Sequence, residues 1–218
     1  MAELDKALRE RAEERFGARA YEDYRLMLGE VDAVLVLTPD DTHADLACEI
    51  LRAGVPVFVE KPLDITLERC DAILRAARES GTRLHVGHNM RHMPVVRLMR
   101  EIIQRGDVGR VRTVWVRHFA GHGGDFSFKD RHAEREHAGG LLLQKAAHDL
   151  DVVHWPAGGY TTRVQAFAYT RATTRQPCPD HVFPAGFVQQ RPSASAPSPR
   201  LGTHPHPRSR CQVHRRVR

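Results

Sequence analysis

Val31-Asp32-Ala33-Val34-Leu35-Val36-Leu37-Thr38-Pro39-Asp40, followed some twenty residues on by Val55-Pro56-Val57-Phe58-Val59-Glu60-Lys61-Pro62, is the stretch that decides the fold. Each run is short, nearly continuous in apolar character and rich in β-branched residues, and each ends in polar residues next to a proline. That pattern predicts strands buried on both faces, as in a parallel sheet. Pro56 sits at the start of its strand, where a missing N–H is tolerated. Between the two strands, Thr42-His43-Ala44-Asp45-Leu46 opens a helix that runs through Leu51 and stops at Gly54.

The alternation continues downstream. Residues 67–78 read as a helix with Ile73, Leu74 and Ala77 apolar, ending near Gly81, and Leu84-His85-Val86-Gly87 reads as a third strand. Strand–helix–strand–helix–strand is the signature of a doubly wound α/β sheet. Upstream, Leu8, Ala12 and Phe16 fall at helical spacing before Gly17, and Tyr24, Met27 and Leu28 mark a second small helix.

After Pro94 the pattern changes. Residues 95–104 are helical, and residues 111–117 partly alternate, which predicts a strand with one wet face. Residues 121–140 read as a loop, 141–155 as a helix, and 163–167 alternate again. Eight of the thirteen prolines then fall within 171–218, where apolar periodicity vanishes. Such a segment cannot bury enough apolar surface to offset its ordering entropy, so it reads as disordered. Its Arg, Pro, Ser, Ala and His bias resembles out-of-frame translation of GC-rich DNA.

Charge separates the same two parts. Residues 171–218 hold nine arginines, no lysine and one acid, Asp180, so they carry +8 of the net +6 and residues 1–170 carry −2. A nucleic-acid reading would rest on that tail alone, which lacks interleaved aromatics and any fold motif, so nucleic acid is not an expected partner. No apolar run approaches the ~20 residues of a membrane helix. The mixed-charge start, Met1-Ala2-Glu3-Leu4-Asp5-Lys6, is not that of a signal peptide. Cys48, Cys70, Cys178 and Cys211 form no C-x-x-C pair, and a cytoplasmic location with reduced thiols is expected.

In open parallel sheets, ligands gather at the carboxyl ends of the strands. Three ends here are polar: Thr38-Pro39-Asp40-Asp41-Thr42-His43, Glu60-Lys61-Pro62 and His88-Asn89-Met90-Arg91. A lysine fixed by a following proline can donate to a hydroxyl or carbonyl oxygen, and the Lys61–Pro62 bond can be cis. Alone, Lys61 would read as a surface lysine. Farther on, Gln144 and His148 are four apart on the expected helix, with Asp151 three beyond His148 and placed to orient it. Oxidation of a secondary alcohol needs a base for the hydroxyl proton, and histidine titrates in the right range. The bland alternative places His148 and Asp149 on an exposed helix face.

Taken in order, these motifs, with Pro94, Gly139-Gly140, His148-Asp149-x-Asp151 and Trp155, resemble the Gfo/Idh/MocA family of glucose–fructose oxidoreductase and inositol dehydrogenase relatives. The likeness runs from near residue 2 to about residue 168. It implies an NAD(P)-dependent dehydrogenase acting on CH–OH groups of a sugar, inositol or related polyol, homo-oligomeric as family members often are. Lys61 and His148 become the catalytic candidates. Thr38, Pro39, His43, Glu60 and Lys61 become candidates for the NAD or NADP site, and Asn89, Arg91 and Gln144 for the substrate site. Gln144 stands where the family usually has an aspartate, and glutamine cannot exchange a proton.

The family usually opens with a strand, a G-x-G-x-x-G turn, a helix and a second strand ending in an acid. No G-x-G-x-x-G occurs in this sequence. Leu4-Asp5 is at most the last scrap of that second strand, and Asp5 reads better as a helix N-cap. The expected architecture is therefore a partial doubly wound (Rossmann) sheet lacking its first two strands over residues 1–108, the start of an α+β antiparallel-sheet domain over 109–169, and a disordered basic tail over 170–218. Two alternatives stand beside the enzyme: a truncated, inactive relative without cofactor binding, and a binding module that uses the basic tail. In the usual strand order the first strand lies beside the Val34–Leu37 strand, so here that strand becomes an exposed apolar edge, open to aggregation. Marginal stability of the isolated chain is expected. A thermal melt followed by circular dichroism checks this, and a cooperative transition well above room temperature would contradict it.

Overall fold

The computed structural model describes residues 1–116, 135–140, 142–169 and 181–190. Helix α1 (Lys6–Phe16) starts on Asp5, whose carboxylate accepts from the Leu8 N–H at 3.0 Å, and stops at Gly17 in the left-handed region (φ 61°). Asp5 is thus an N-cap. Of the apolar stripe of α1 only Ala12 is buried, while Leu8 and Phe16 are exposed. A 3-10 turn, Tyr24–Glu30, packs Met27 and Leu28 against the core. Ahead of α1, Ala2 makes a single parallel bridge to Tyr21.

Strands β1 (Val34–Val36), β2 (Val57–Val59) and β3 (Leu84–Val86) form a parallel sheet in that order. Val34 is in register with Val57, and Val57 with Leu84. The crossovers are α2 (His43–Arg52) and α3 (Leu67–Ser80), which pack on one face of the sheet. Ile50, Leu51 and Ile73 from these helices are sealed against Val34, Val36, Val57 and Val59. Each strand is three residues long.

The expectation of strands buried on both faces is corrected. In β1, Val34 and Val36 are buried, but Leu35 is 61% exposed and Leu37 just beyond is 64% exposed. Among the described residues the second face carries no helix layer, and β1 has a free edge. The continuous apolar run therefore encodes a two-sided environment of which one side is seen here. Gly87, at the end of β3, lets the strand ends approach. A Cβ there would meet the Phe58 ring at 3.1 Å and a Glu60 carboxylate oxygen at 3.2 Å.

Helix α4 (Pro94–Arg105) begins with Pro94 at its first turn and ends at Gly106 (φ 80°). The strand expected over 111–117 is not formed over residues 111–116, where Val114, Trp115 and Val116 stand exposed; residue 117 lies outside the described residues. An alternating segment becomes a strand only when a neighbour completes its ladder, and none does so among the described residues. The expected loop 121–140 contains a short helix, α5 (Arg135–Ala138), and its residues 121–134 lie outside the described residues. The helix expected over 141–155 is two pieces: a π-helical turn, Leu142–Ala146, and α6 (Ala147–Ala157). Gly139 and Gly140, both at positive φ (67° and 92°), turn the chain into that wide turn.

Strand β4 (Gly159–Tyr169) pairs antiparallel with β5 (His181–Gln190). β5 corrects part of the expected disordered tail: Val182, Phe183, Phe187 and Val188 give it strand character that Pro184 masks in the sequence. The tail outside 181–190, including all nine of its arginines, lies outside the described residues, and with it any DNA-binding or frame-change reading. No described helix is long and apolar enough to cross a membrane.

Leu51 has no exposed surface, so Leu51→Ala is expected to lower the urea-unfolding free energy by about 2–5 kcal/mol. Leu35→Thr, on the open face, should change it by less than about 0.5 kcal/mol and should reduce light scattering of concentrated samples.

Candidate functional site

The sheet ends deliver their polar residues to one place. After β1, the Thr42 hydroxyl lies 2.7 Å from both the Thr38 hydroxyl and the Pro39 carbonyl, and the Thr42 N–H donates to Pro39 O at 2.9 Å. These bonds curl the loop into the start of α2. His43 then joins two loops. Its Nδ1 lies 2.9 Å from the Pro62 carbonyl and its Nε2 3.0 Å from the Thr38 carbonyl, with the ring fully buried.

Asp64, 2% exposed, reinforces the join. It accepts from the Ala44 N–H (2.9 Å), the Ile65 N–H (2.7 Å) and Arg69 Nε (2.9 Å). Arg69 in turn donates to the Asp41 carbonyl and to Asp45. The loop after β2 is thereby fixed to the N-terminus of α2, and the Lys61–Pro62 bond is cis.

Lys61 is half-buried, and its ammonium donates to the Gln144 main-chain carbonyl at 3.1 Å, from the π turn. Burial lowers its pKa, with Lys145 pushing the same way and Asp40 and Glu60 opposing. Glu60 folds onto its own loop, accepting from the Lys61 N–H at 2.5 Å. His148, on α6, is buried enough that its pKa falls below the usual 6.5, and the charges of Lys61 and His88 push it further down. His148 Nδ1 is sealed from solvent with no hydrogen-bond partner. Lys61, Glu60, Gln144 and His148 thus gather between the sheet end and α6, in what is called the crevice below.

Other expected residues sit differently. His43 is a buried strut, with both ring nitrogens used on main-chain carbonyls, so its expected place among cofactor contacts becomes a supporting one. Thr38 and Pro39 are exposed at the rim, and Asn89 is exposed on a 3-10 turn, Asn89–His92. Arg91 grips Asp151 through Nε (2.7 Å) and Nη2, and its guanidinium lies 5.4 Å from the Trp155 ring centroid. It ties the β3 end to α6. The expected orientation of His148 by Asp151 does not occur: Asp151 is taken by Arg91, and its other close neighbour is His88, 3.9 Å away. His88 is the residue that motif reading passed over. It stands beside Asn89 in the sequence, and its Nδ1 is buried without a hydrogen-bond partner.

With this geometry in view, the comparisons are specific. Residues 2–88 match the model of an oxidoreductase family with an NAD-binding Rossmann fold, and residues 96–186 match a GFO/IDH/MocA C-terminal domain. Over 139 residues the chain is 32% identical to an inositol 2-dehydrogenase of Rhizobium meliloti (strain 1021), covering 64% of this chain and 40% of that protein. Over 141 residues it is 33% identical to a 1-carboxy-3-chloro-3,4-dihydroxycyclo hexa-1,5-diene dehydrogenase of Comamonas testosteroni, covering 63% of this chain and 34% of that protein. Among solved structures it is similar to the WlbA dehydrogenase from Bordetella pertussis in complex with NADH and UDP-GlcNAcA, at 26% identity and a TM-score of 0.70, covering 85% of this chain and 54% of the other. The matched part of the chain therefore spans well under half the length of these curated relatives.

The two lowered histidines set a pH dependence. Unfolded imidazoles bind a proton at higher pH than the folded rings of His88 and His148, so the unfolded state takes up protons first as pH falls. Stability should therefore decline as pH drops from about 7 toward about 5. His148→Gln should flatten part of that slope in urea titrations at several pH values, and an unchanged slope would contradict the placement of the ring.

Proposed function

As a member of the Gfo/Idh/MocA oxidoreductase family, this chain carries a Rossmann-type sheet end with a lysine facing a helix histidine, and we propose that it serves NAD(P)-dependent hydride transfer on a sugar, inositol or related polyol. One observation carries the reading: Lys61 Nζ is held at the Gln144 carbonyl beside His148, whose pKa is lowered by burial and by the charge of Lys61. A carbonyl partner leaves the ammonium two further protons to donate. A neutral imidazole can accept a hydroxyl proton, and an imidazolium could not.

The residues fit the nicotinamide end of the cofactor. Thr38 and Pro39 stand exposed at the β1 end and Lys61 lies behind them, as expected at the carboxyl edge of such a sheet. The starts of α1, α2 and α3 do not fit a pyrophosphate. Those of α1 and α3 are capped by Asp5 and Thr66, and that of α2 carries Asp40 and Asp41 and gives its Ala44 N–H to Asp64. No residue of this chain is therefore assigned to the phosphates.

When bound, the nicotinamide would supply the hydride acceptor or donor. The chain's residues do the rest. Lys61 steadies the reacting oxygen, His148 Nε2 takes or returns its proton, and the Gln144 carbonyl fixes the lysine. Gln144 does not exchange a proton, so proton movement falls to imidazole.

NADH fluorescence titration and NAD⁺ reduction with myo-inositol and glucose test this. Saturable micromolar binding and turnover are expected, with Lys61→Met reducing kcat/KM by about 100-fold or more. Absence of binding to NADH and NADPH alike would favour the inactive-relative alternative.

A further inference from the structure

Histidine 88 stands in a setting that His148 lacks. A general-base imidazole works best when one nitrogen holds a proton against a carboxylate, because that fixes the tautomer and steadies the imidazolium that forms. His148 Nδ1 is sealed away with nothing to bond, and Asp151 does not reach it. His88 Nδ1 is also sealed and unbonded, but it faces Asp151 Oδ2 at 3.9 Å. Oδ2 accepts one bond from Arg91 Nε at 2.7 Å, and a carboxylate oxygen can accept a second. The bidentate grip of Arg91 also holds the carboxylate in place. A shift of about 1 Å closes the His88–Asp151 gap to a hydrogen bond.

The placement favours a role in the crevice. His88 ends β3, next to Gly87, whose lack of a Cβ lets the β2 and β3 ends close on Glu60. The charge of His88 is among those felt by His148, and that of Glu60 is felt by both rings. A buried polar atom without a partner is costly, and of the two such imidazole nitrogens among the described residues only that of His88 faces a carboxylate within 4 Å.

We propose that His88 and Asp151 form a proton-accepting dyad in the crevice, in which Asp151, clamped by Arg91, holds the Nδ1 proton and Nε2 accepts the proton of a ligand hydroxyl. This rests on the polyol reading of the site. In the forward step the ligand O–H bond breaks, an N–H bond forms at Nε2, and the imidazolium sits beside the Asp151 carboxylate. A bound oxidised nicotinamide would take the hydride from the same carbon, leaving a carbonyl, so charge and electrons balance. His148 keeps the role proposed above, and the dyad adds a second acceptor whose Nδ1 faces a clamped carboxylate. The dyad supplies the carboxylate-backed base that Gln144 cannot.

The charged and titratable groups around His88 set the expected titration. Burial lowers its pKa first of all, Asp151 on α6 and Glu60 after β2 raise it, and Arg91 and His85 lower it. His88 is therefore neutral near pH 7, ready to accept, and Asp151 opposes the depression.

Long-range ¹H–¹⁵N spectra of the uniformly labelled full chain read the ring directly, without cofactor or turnover. The expected result at neutral pH is a His88 proton on Nδ1 and a bare Nε2. Asp151→Asn should lower the His88 titration midpoint by about one pH unit and leave that of His148 nearly unmoved. Millimolar myo-inositol should shift the His88 Nε2 resonance, and should still do so in His148→Gln. A wild-type ring protonated at Nε2 overturns the dyad whatever inositol does, and needs no variant to fold. A His88 that ignores inositol while His148 responds overturns its role as acceptor. Silence of both rings removes the polyol reading and the acceptor role with it, while the wild-type tautomer separately reports on the pair.

Discussion

A buried imidazole holds the two loops on which the crevice depends. His43 reaches the Thr38 carbonyl with one ring nitrogen and the Pro62 carbonyl with the other, bridging the ends of β1 and β2. With one N–H the ring donates to one of these carbonyls and packs against the other, so losing it leaves a buried carbonyl unpaired at a cost of about 1–3 kcal/mol and loosens the contact between the two loops. Asp64 and Arg69 fasten the same joint from the far side by gathering the Ala44 and Ile65 amides and the Asp41 carbonyl. The chemistry sits on this joint. Lys61 lies one residue before the clamped Pro62, and its reach to the Gln144 carbonyl is set by where that proline is held.

The crevice is closed from the other side by a second charged lock, Arg91 on Asp151, with Trp155 beneath the guanidinium. Between the locks lie one lysine and two histidines, each with its pKa lowered by burial. Neutral imidazoles beside a lysine suit a site where a proton must move while an oxygen is held. The histidines gain this at some cost to the fold, because their uncharged state must be maintained against protonation in the unfolded chain.

The sheet and its crossovers were legible in the sequence because Val34, Val36, Val57, Val59, Ile73 and Leu51 obey one rule: apolar side chains at the period that faces the helices. The motif residues Lys61 and His148 were legible as a pair through order and spacing. What escaped was long-range pairing. Residues 111–116 alternate like a strand, yet local pattern does not say whether a neighbour will be present. β5 hid behind Pro184 and its basic surroundings. The bridging contacts of His43 and Arg91 were not legible because a polar residue at a strand end looks the same whether it faces a ligand or another loop, and Asp151 pairs with Arg91 rather than orienting His148. His88 went unweighed because its distinction, a buried nitrogen opposite a clamped carboxylate sixty-three residues away in sequence, exists only in three dimensions.

Hydrogen–deuterium exchange of the full chain against His43→Asn tests the central joint most directly. If the imidazole locks the two strand-end loops, amide protection should fall together over residues 38–44 and 60–66, while the amides of α3 beyond Arg69 stay protected. Loss confined to residues 38–44, with Lys61 and its neighbours unchanged, would contradict the account.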